Sequence, residues 1–216
     1  MKTTALILLA LTVAMTNATA ADRVPKEMRP KLLREGKVLV EDKFDGTELD
    51  KKWLIPKGDD AGTVTIEQGH AVIAAGAGRQ GVIWQKFDAG VTDAGVQLLM
   101  KPFACTWMGI RFTATTEPGD RQWKIGVIIY ESGFVRVVVP DGLKLKVLKS
   151  VRTELKKGDW WRVSLESKGD RYFVRVNGEE LIDLKQPETE GPKLGVMVNL
   201  YGGKGAIDEV KVTTGI

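Results

Sequence analysis

Aromatic and basic residues interleave at strand spacing in the middle of the chain, and the chemistry they offer is recognition of sugars. In the run TWMGIRFT (106–113), Trp107 and Arg111 share one parity, while Met108, Ile110 and Phe112 share the other. Successive side chains of a strand point to opposite faces, so the second set reads as core and the first as the face turned away from it. In the following run, Lys124 and Tyr130 have the parity that excludes them from the row Trp123, Ile125, Val127 and Ile129. Trp84, Asn199 and Tyr201 join this face if their strands lie in the same sheet. Sugars present apolar C–H faces that stack on aromatic rings, and hydroxyls that pair with Arg, Lys and Asn. Trp84, Trp107, Arg111, Lys124, Tyr130, Asn199 and Tyr201 are therefore the candidate binding residues for an oligo- or polysaccharide. The competing reading covers the face with a loop or partner, which makes Trp107 core.

Other reactive residue types are sparse. His70 is the only histidine and Cys105 the only cysteine, so a triad or His-rich metal site would hang on one residue. Cys105 reads as a buried, inert thiol. Gly76-Ala77-Gly78-Arg79-Gln80-Gly81 is a literal G-x-G-x-x-G, but GVIWQKF after it reads as a strand. A dinucleotide site needs a helix there, so the glycines read as a turn between strands.

The elements that must position these residues are strands. Alternating runs lie near 38–44, 63–67, 70–75, 81–87, 94–100, 106–113, 122–130, 133–139, 143–148, 160–167, 171–176, 180–183, 193–200 and 206–212. No stretch after residue 37 carries a helical period. Asn177-Gly178, between FVRV and EELI, is a two-residue hairpin signal; Glu131-Ser132-Gly133 and Lys168-Gly169-Asp170 are longer turns. Trp161, Val163 and Leu165 alternate with Trp160, Arg162, Ser164 and Glu166, and Tyr172, Val174 and Val176 form an inner row. Many short antiparallel strands without helices predict an all-β, two-sheet antiparallel β-sandwich, forming one domain over 37–216.

Two segments precede that domain. Residues 1–20 join a basic start, an apolar run from Ala5 to Met15 and a small-x-small site at Ala18-Thr19-Ala20, the pattern of a cleaved secretory signal. The run is too short to span a bilayer, so the mature chain is expected to be secreted or periplasmic, with no transmembrane segment. Residues 21–36 carry three Arg and two Lys, and Pro30 breaks any helix through them. They read as a solvated basic arm, with docking on a membrane or partner as the alternative. The net charge of +4 falls to +3 without Lys2, and no basic stripe gathers it, which argues against nucleic acid. With one cysteine there is no intramolecular disulfide, and stability must come from core burial.

Three segments carry a resemblance. EDKFDGTELDKKW (41–53) resembles the opening of concanavalin A-like lectin/glucanase domains. GDWWRVSLESKGDRYFVRVNGEELID (158–183) resembles the paired strands of laminin G-like members, and GKGAIDEVKV (203–212) the closing strand, which in that superfamily pairs beside the first. The layout is most similar to bacterial, secreted 3-keto-disaccharide hydrolase-like domains. The resemblance implies a jelly roll and a carbohydrate partner. There are departures. The Asn-Ser-Gly-Ile run common in those domains is here Trp107-Met108-Gly109-Ile110, without the Asn-Ser pair. The glucanase pattern Glu-x-Asp-x-x-Glu is absent; Glu48-x-Asp50 comes nearest and has Trp53 in the last place. Retaining hydrolysis needs two carboxyls roughly 5–5.5 Å apart, and no strand supplies that row.

No catalytic residue is assigned. An enzyme of the hydrolase-like kind would have Glu131 or His70 as acid or base, and a non-catalytic protein-interaction module is the third reading. Asp45 and Asp208 are the candidate metal ligands. They approach one another if the first and last strands are neighbours, and some members of the superfamily hold a structural Ca²⁺, an ion bound by carboxylate and carbonyl oxygens. In the alternative, each acid merely caps a turn.

Overall fold

The computed structural model describes residues 26–34, 36–56, 62–115, 123–142 and 144–215, so the leader expected at 1–20 and the start of the arm lie outside the described residues. In chain order the strands are β1 (Val38–Asp42), β2 (Thr63–Glu67), β3 (His70–Val91), β4 (Ala94–Pro102), β5 (Trp107–Thr113), β6 (Trp123–Tyr130), β7 (Phe134–Asp141) and β8 (Lys144–Arg152). There follow β9 (Trp161–Lys168), β10 (Arg171–Val176), β11 (Glu179–Lys185), a 3-10 turn at Pro187–Thr189, and β12 (Lys193–Thr214). Every pairing is antiparallel.

The runs near 70–75 and 81–87 are one strand, β3, and those near 193–200 and 206–212 are one strand, β12. Each is 22 residues long and belongs to both layers of the sandwich. The second half of β12 pairs with β4, β1 and the start of β3 in a first sheet that continues through β9, β10 and β11. The first half pairs with β5 and the later part of β3 in a second sheet that continues through β6, β7 and β8.

The passage between layers occurs where the register jumps. Tyr201 pairs with Gln80 and Gly203 with Ala75, so Gly76–Arg79 bulge outward, exposed, opposite Gly202. The G-x-G-x-x-G run is thus a bulge inside a continuous strand and not a turn between two. Gly203 has φ +108°, and a Cβ there would lie 1.5 Å from the carbonyl oxygen of Ala104. Only glycine fits this corner.

Period-two alternation decides the core. Met108, Ile110 and Phe112 of β5, Trp161, Val163 and Leu165 of β9, and Tyr172, Val174 and Val176 of β10 lie in one apolar cluster. The Asn177-Gly178 hairpin has both residues at positive φ (53° and 89°), as a twist-matched two-residue turn requires. On β6 the strict alternation fails. Ile125 pairs with Phe112 but Trp123 pairs with Thr113, so Lys124 is bulged out and Trp123 moves from the expected core row to the outer face.

The arm is docked, not solvated. Met28 and Leu33 are buried against the outer face of the first sheet. The amides of Lys31, Leu32 and Leu33 all donate to Glu166 Oε2, at 2.7, 2.7 and 3.4 Å. Met28 exchanges backbone bonds with the Gln97 side chain. Glu166 is a buried carboxylate and needs charge-compensating donors; the arm and the guanidinium of Arg175 (2.8 Å) supply them.

Lys193, at the start of β12, is wholly buried; its Nζ donates to the Thr92 carbonyl and lies 5.8 Å from the Tyr172 ring centroid. Burial pulls this ammonium from the ordinary 10.5 down to about 8.

Two predictions concern these features. Gly203→Ala should cost at least ~3 kcal/mol in urea denaturation, because strain and a backbone clash combine. Gly178→Ala, at φ +89° with open space around its Cβ position, should cost only about 1 kcal/mol from the positive φ. Equal losses would show that the corner relaxes. For Lys193, the unfolded chain binds the extra proton between about 8 and 10.5, so the wild type should gain stability over Lys193→Met as pH rises through that window. Urea midpoints that keep a constant offset between the two proteins would refute it.

Candidate functional site

The outer face of the second sheet gathers six of the seven residues named from sequence. Along one row Gln80, Tyr201, Trp107 and Tyr130 lie side by side on β3, β12, β5 and β6. The next row runs Val82, Asn199, Gly109, Ile128 and Arg136, and the third Trp84, Met197, Arg111, Gly126 and Val138. Lys124 is the exception. The β6 bulge turns it aside, and its Nζ donates to the Glu190 carbonyl at 2.9 Å. Trp123 takes a place on the face instead.

The face is an aromatic layer with cations set into it. Trp107 and Tyr201 stack with ring centroids 5.7 Å apart and planes at 6°, an offset arrangement. Trp107, Trp123, Ile128 and Val138 pack as a separate apolar cluster, with Tyr130 and Tyr201 half-buried at its margin. The Arg111 stem crosses Gly126, where a Cβ would lie 2.6 Å from Arg111 Cγ, so the glycine makes its path. Its guanidinium lies 4.4 Å from the Trp123 centroid and 5.8 Å from that of Trp107. Arg136 donates from Nη1 to the Tyr130 hydroxyl at 3.3 Å and lies over that ring.

Exposure separates these residues. Trp84, Trp107, Arg111 and Asn199 are buried, with Trp107 at 7% and Arg111 at 5%, so the expectation of an open Trp107 platform is corrected. The rings and the guanidinium pack on one another. Trp84 is held further by its Nε1 bond to Thr113 (3.3 Å) and by backbone pairing with Leu54. Of the aromatic residues named from sequence on this face, Tyr130 and Tyr201 are half-buried and reach solvent. Beneath them are buried polar atoms. Arg111 Nε and Nη2 and Asn199 Oδ1 have no hydrogen-bond partner among the described residues, although Asn199 Nδ2 donates to Gln80 at 3.1 Å. Burial alone draws the Arg111 guanidinium from 12.5 down to about 10, which leaves it charged at neutral pH.

Asp45 and Asp208 are not assembled into a cation site. Asp45 is exposed, whereas Asp208 meets His70 Nδ1 at 3.0 Å and accepts the Glu209 amide at 2.7 Å. No group of three or more His, Cys, Asp and Glu among the described residues has metal-holding geometry. The acid nearest the expected place on β1 is Asp42, and it serves the chain itself, accepting from Trp53 Nε1 and the Phe44 amide at 2.8 Å each. Burial pushes the Asp208 carboxyl up from its ordinary value. His70 also packs edge-on to Trp160, on the first sheet and away from the Trp107 row. Glu131 pairs with Lys157 at 3.3 Å. Cys105 is buried, and its thiol is pushed up to about 12 by burial, which removes thiolate chemistry.

A cavity of about 520 Å³ lies on the opposite side of the molecule, between the arm and the first sheet. Met28, Gln97, Ser164, Glu166 and Arg175 line it, none of them named from sequence as a binding residue. Glu166 and Arg175 neutralise each other there, and Lys211 pairs with Glu27 at its margin. The chemistry left open is on the second sheet. Trp123 was missed there because a bulge breaks the alternation, and Arg136 because its strand carried no other signal.

No family model and no curated protein sequence matches the chain. Solved structures match in shape. The carbohydrate-binding module CBM66 from Bacillus subtilis is 14% identical, with 76% of this chain and 96% of that chain covered at a TM-score of 0.57. A Bacillus subtilis protein of unknown function with a galectin-like fold is 13% identical, with 85% and 99% covered at 0.65. The Bacillus licheniformis β-glucanase is 12% identical, with 84% and 100% covered at 0.60. At such identities the likeness speaks to fold alone, and the fold is an antiparallel two-sheet jelly roll.

Proposed function

We propose that this chain is a carbohydrate-binding β-sandwich that seats a glycan on the outer face of its second sheet. The observation that carries this reading is the stacked Trp107–Tyr201 pair beside Tyr130, next to the unpartnered polar atoms of Arg111 and Asn199. Flat rings complement the C–H faces of a sugar, and unpartnered N–H and C=O groups complement its hydroxyls. A carbohydrate-binding module among the structures of similar shape supports it. The described rows of this face hold no Asp or Glu, so the face supplies binding groups rather than a carboxylate pair for hydrolysis. Secretion or periplasmic placement rests on the leader pattern at 1–20. No helix among the described residues is long and apolar enough to cross a membrane.

The half-buried tyrosines are the variants to make, because removing buried Trp107 would also damage packing. In affinity electrophoresis through gels containing neutral and acidic polysaccharides, Tyr201→Ala and Tyr130→Ala should each weaken retention about tenfold, the equivalent of ~1.4 kcal/mol. Val38→Ala, exposed on the first sheet, should leave it unchanged. Wild-type retention that survives both tyrosine substitutions would move the site off this face.

A further inference from the structure

We infer that the glycan taken by this face is acidic, and that Arg111 pairs with the carboxylate of a uronic acid unit. The inference deepens the preceding reading and rests on it. Arg111 has Nε and Nη2 without partners, and these two groups form one edge of the guanidinium. The molecule displays what that edge does when satisfied: Arg171 Nε and Nη2 hold the two oxygens of Asp183 at 2.8 and 2.5 Å. Arg111 presents the same fork with no carboxylate of the described residues on it.

The surroundings point the same way. A buried charge without a counter-charge is costly; of the other deeply buried ions described, Lys193 is met by a backbone carbonyl and two have ionic partners. Glu166 has Arg175 and three amides, and Arg162 has Glu209. Around Arg111 the described outward-facing rows of the sheet add Lys86, Arg136 and Arg152, with no acid among them. Such a one-signed surface attracts anions and favours an acidic over a neutral sugar. The planar fork matches a carboxylate's two oxygens, and the Trp107 and Trp123 rings flank it. Because the fork is buried between two tryptophan rings, binding there should perturb their surroundings, and tryptophan fluorescence reports the change.

The test measures binding of the full chain to polygalacturonate and alginate, to the same polymers after carboxyl reduction, and to dextran sulfate. Fluorescence titration and affinity electrophoresis are the readouts. Wild type should bind at least one uronate polymer about tenfold or more tightly than its reduced form. Arg111→Met and Arg111→Lys should each erase that preference, the lysine because it keeps charge but loses the fork. Arg111→Met should also unfold at a higher urea concentration than wild type, since it removes an uncompensated buried charge. If the methionine variant does not fold, the lysine variant decides. Equal binding of uronate and reduced polymer overturns the inference and leaves the glycan reading standing, as does a uronate preference that survives Arg111→Lys. Binding of dextran sulfate as tight as that of the uronates and insensitive to Arg111 overturns it as general cation character. Failure to bind any of the polymers overturns both readings.

Discussion

The corner where β12 crosses from one sheet to the other is the constraint on which the rest of the molecule depends. Gly203 sits with its Cα against the Ala104 carbonyl at a φ no side chain tolerates well, and Gly76–Arg79 spread open opposite it. Two strands shared by both layers tie the sheets together covalently as well as by packing. The same corner fixes the site, because Tyr201 is the last residue paired to β5 before the turn. Its carbonyl accepts the Thr106 amide at 2.9 Å, and this locks the start of β5 and puts Trp107 directly beside the Tyr201 ring.

The two outer faces of the sandwich meet the problem of buried charge in different ways. On the first sheet Glu166 is neutralised by the chain itself, through Arg175 and the backbone of the arm, and the arm is held down in return. On the second sheet Arg111 is flanked by two tryptophan rings and no acid among the described residues. Cation–π contact compensates part of its desolvation but provides no acceptor for its N–H groups. Both faces keep some polar capacity, since Ser164 Oγ and Arg175 Nε on the first sheet also have no partner among the described residues, but only the second leaves a buried guanidinium without an acid. That difference, more than the size of the cavity under the arm, distinguishes the candidate site.

Alternation made much of this legible. The inner rows of β5, β9 and β10 and the outward parity of Trp107, Arg111 and Tyr130 follow from period two alone, because a sheet imposes it on every side chain; Trp84, Asn199 and Tyr201 join them because β3 and β12 lie in the same sheet. Lys124 and Trp123 exchanged places because one extra residue in β6 reverses parity, and neither residue type announces a bulge. The arm was misjudged for a related reason. Its charge and prolines describe a chain that cannot form a helix, but the carboxylate that receives its amides stands more than a hundred residues away. Asp208 meets His70, a contact across 138 positions that no local pattern announces.

The sequence by itself determined the strand class, the hairpin at Asn177-Gly178 and the division of each strand into an inner and an outer row, since these depend on neighbours two or three residues apart. Only the tertiary structure decided that four runs merge into two long strands, that Trp107 and Tyr201 of different strands stack on one another, and that Arg111 is buried with no counter-charge among the described residues. Those outcomes depend on register and on which sheet each strand joins. Register is set by contacts between distant segments, and a single bulge or glycine corner can shift it without altering the local pattern.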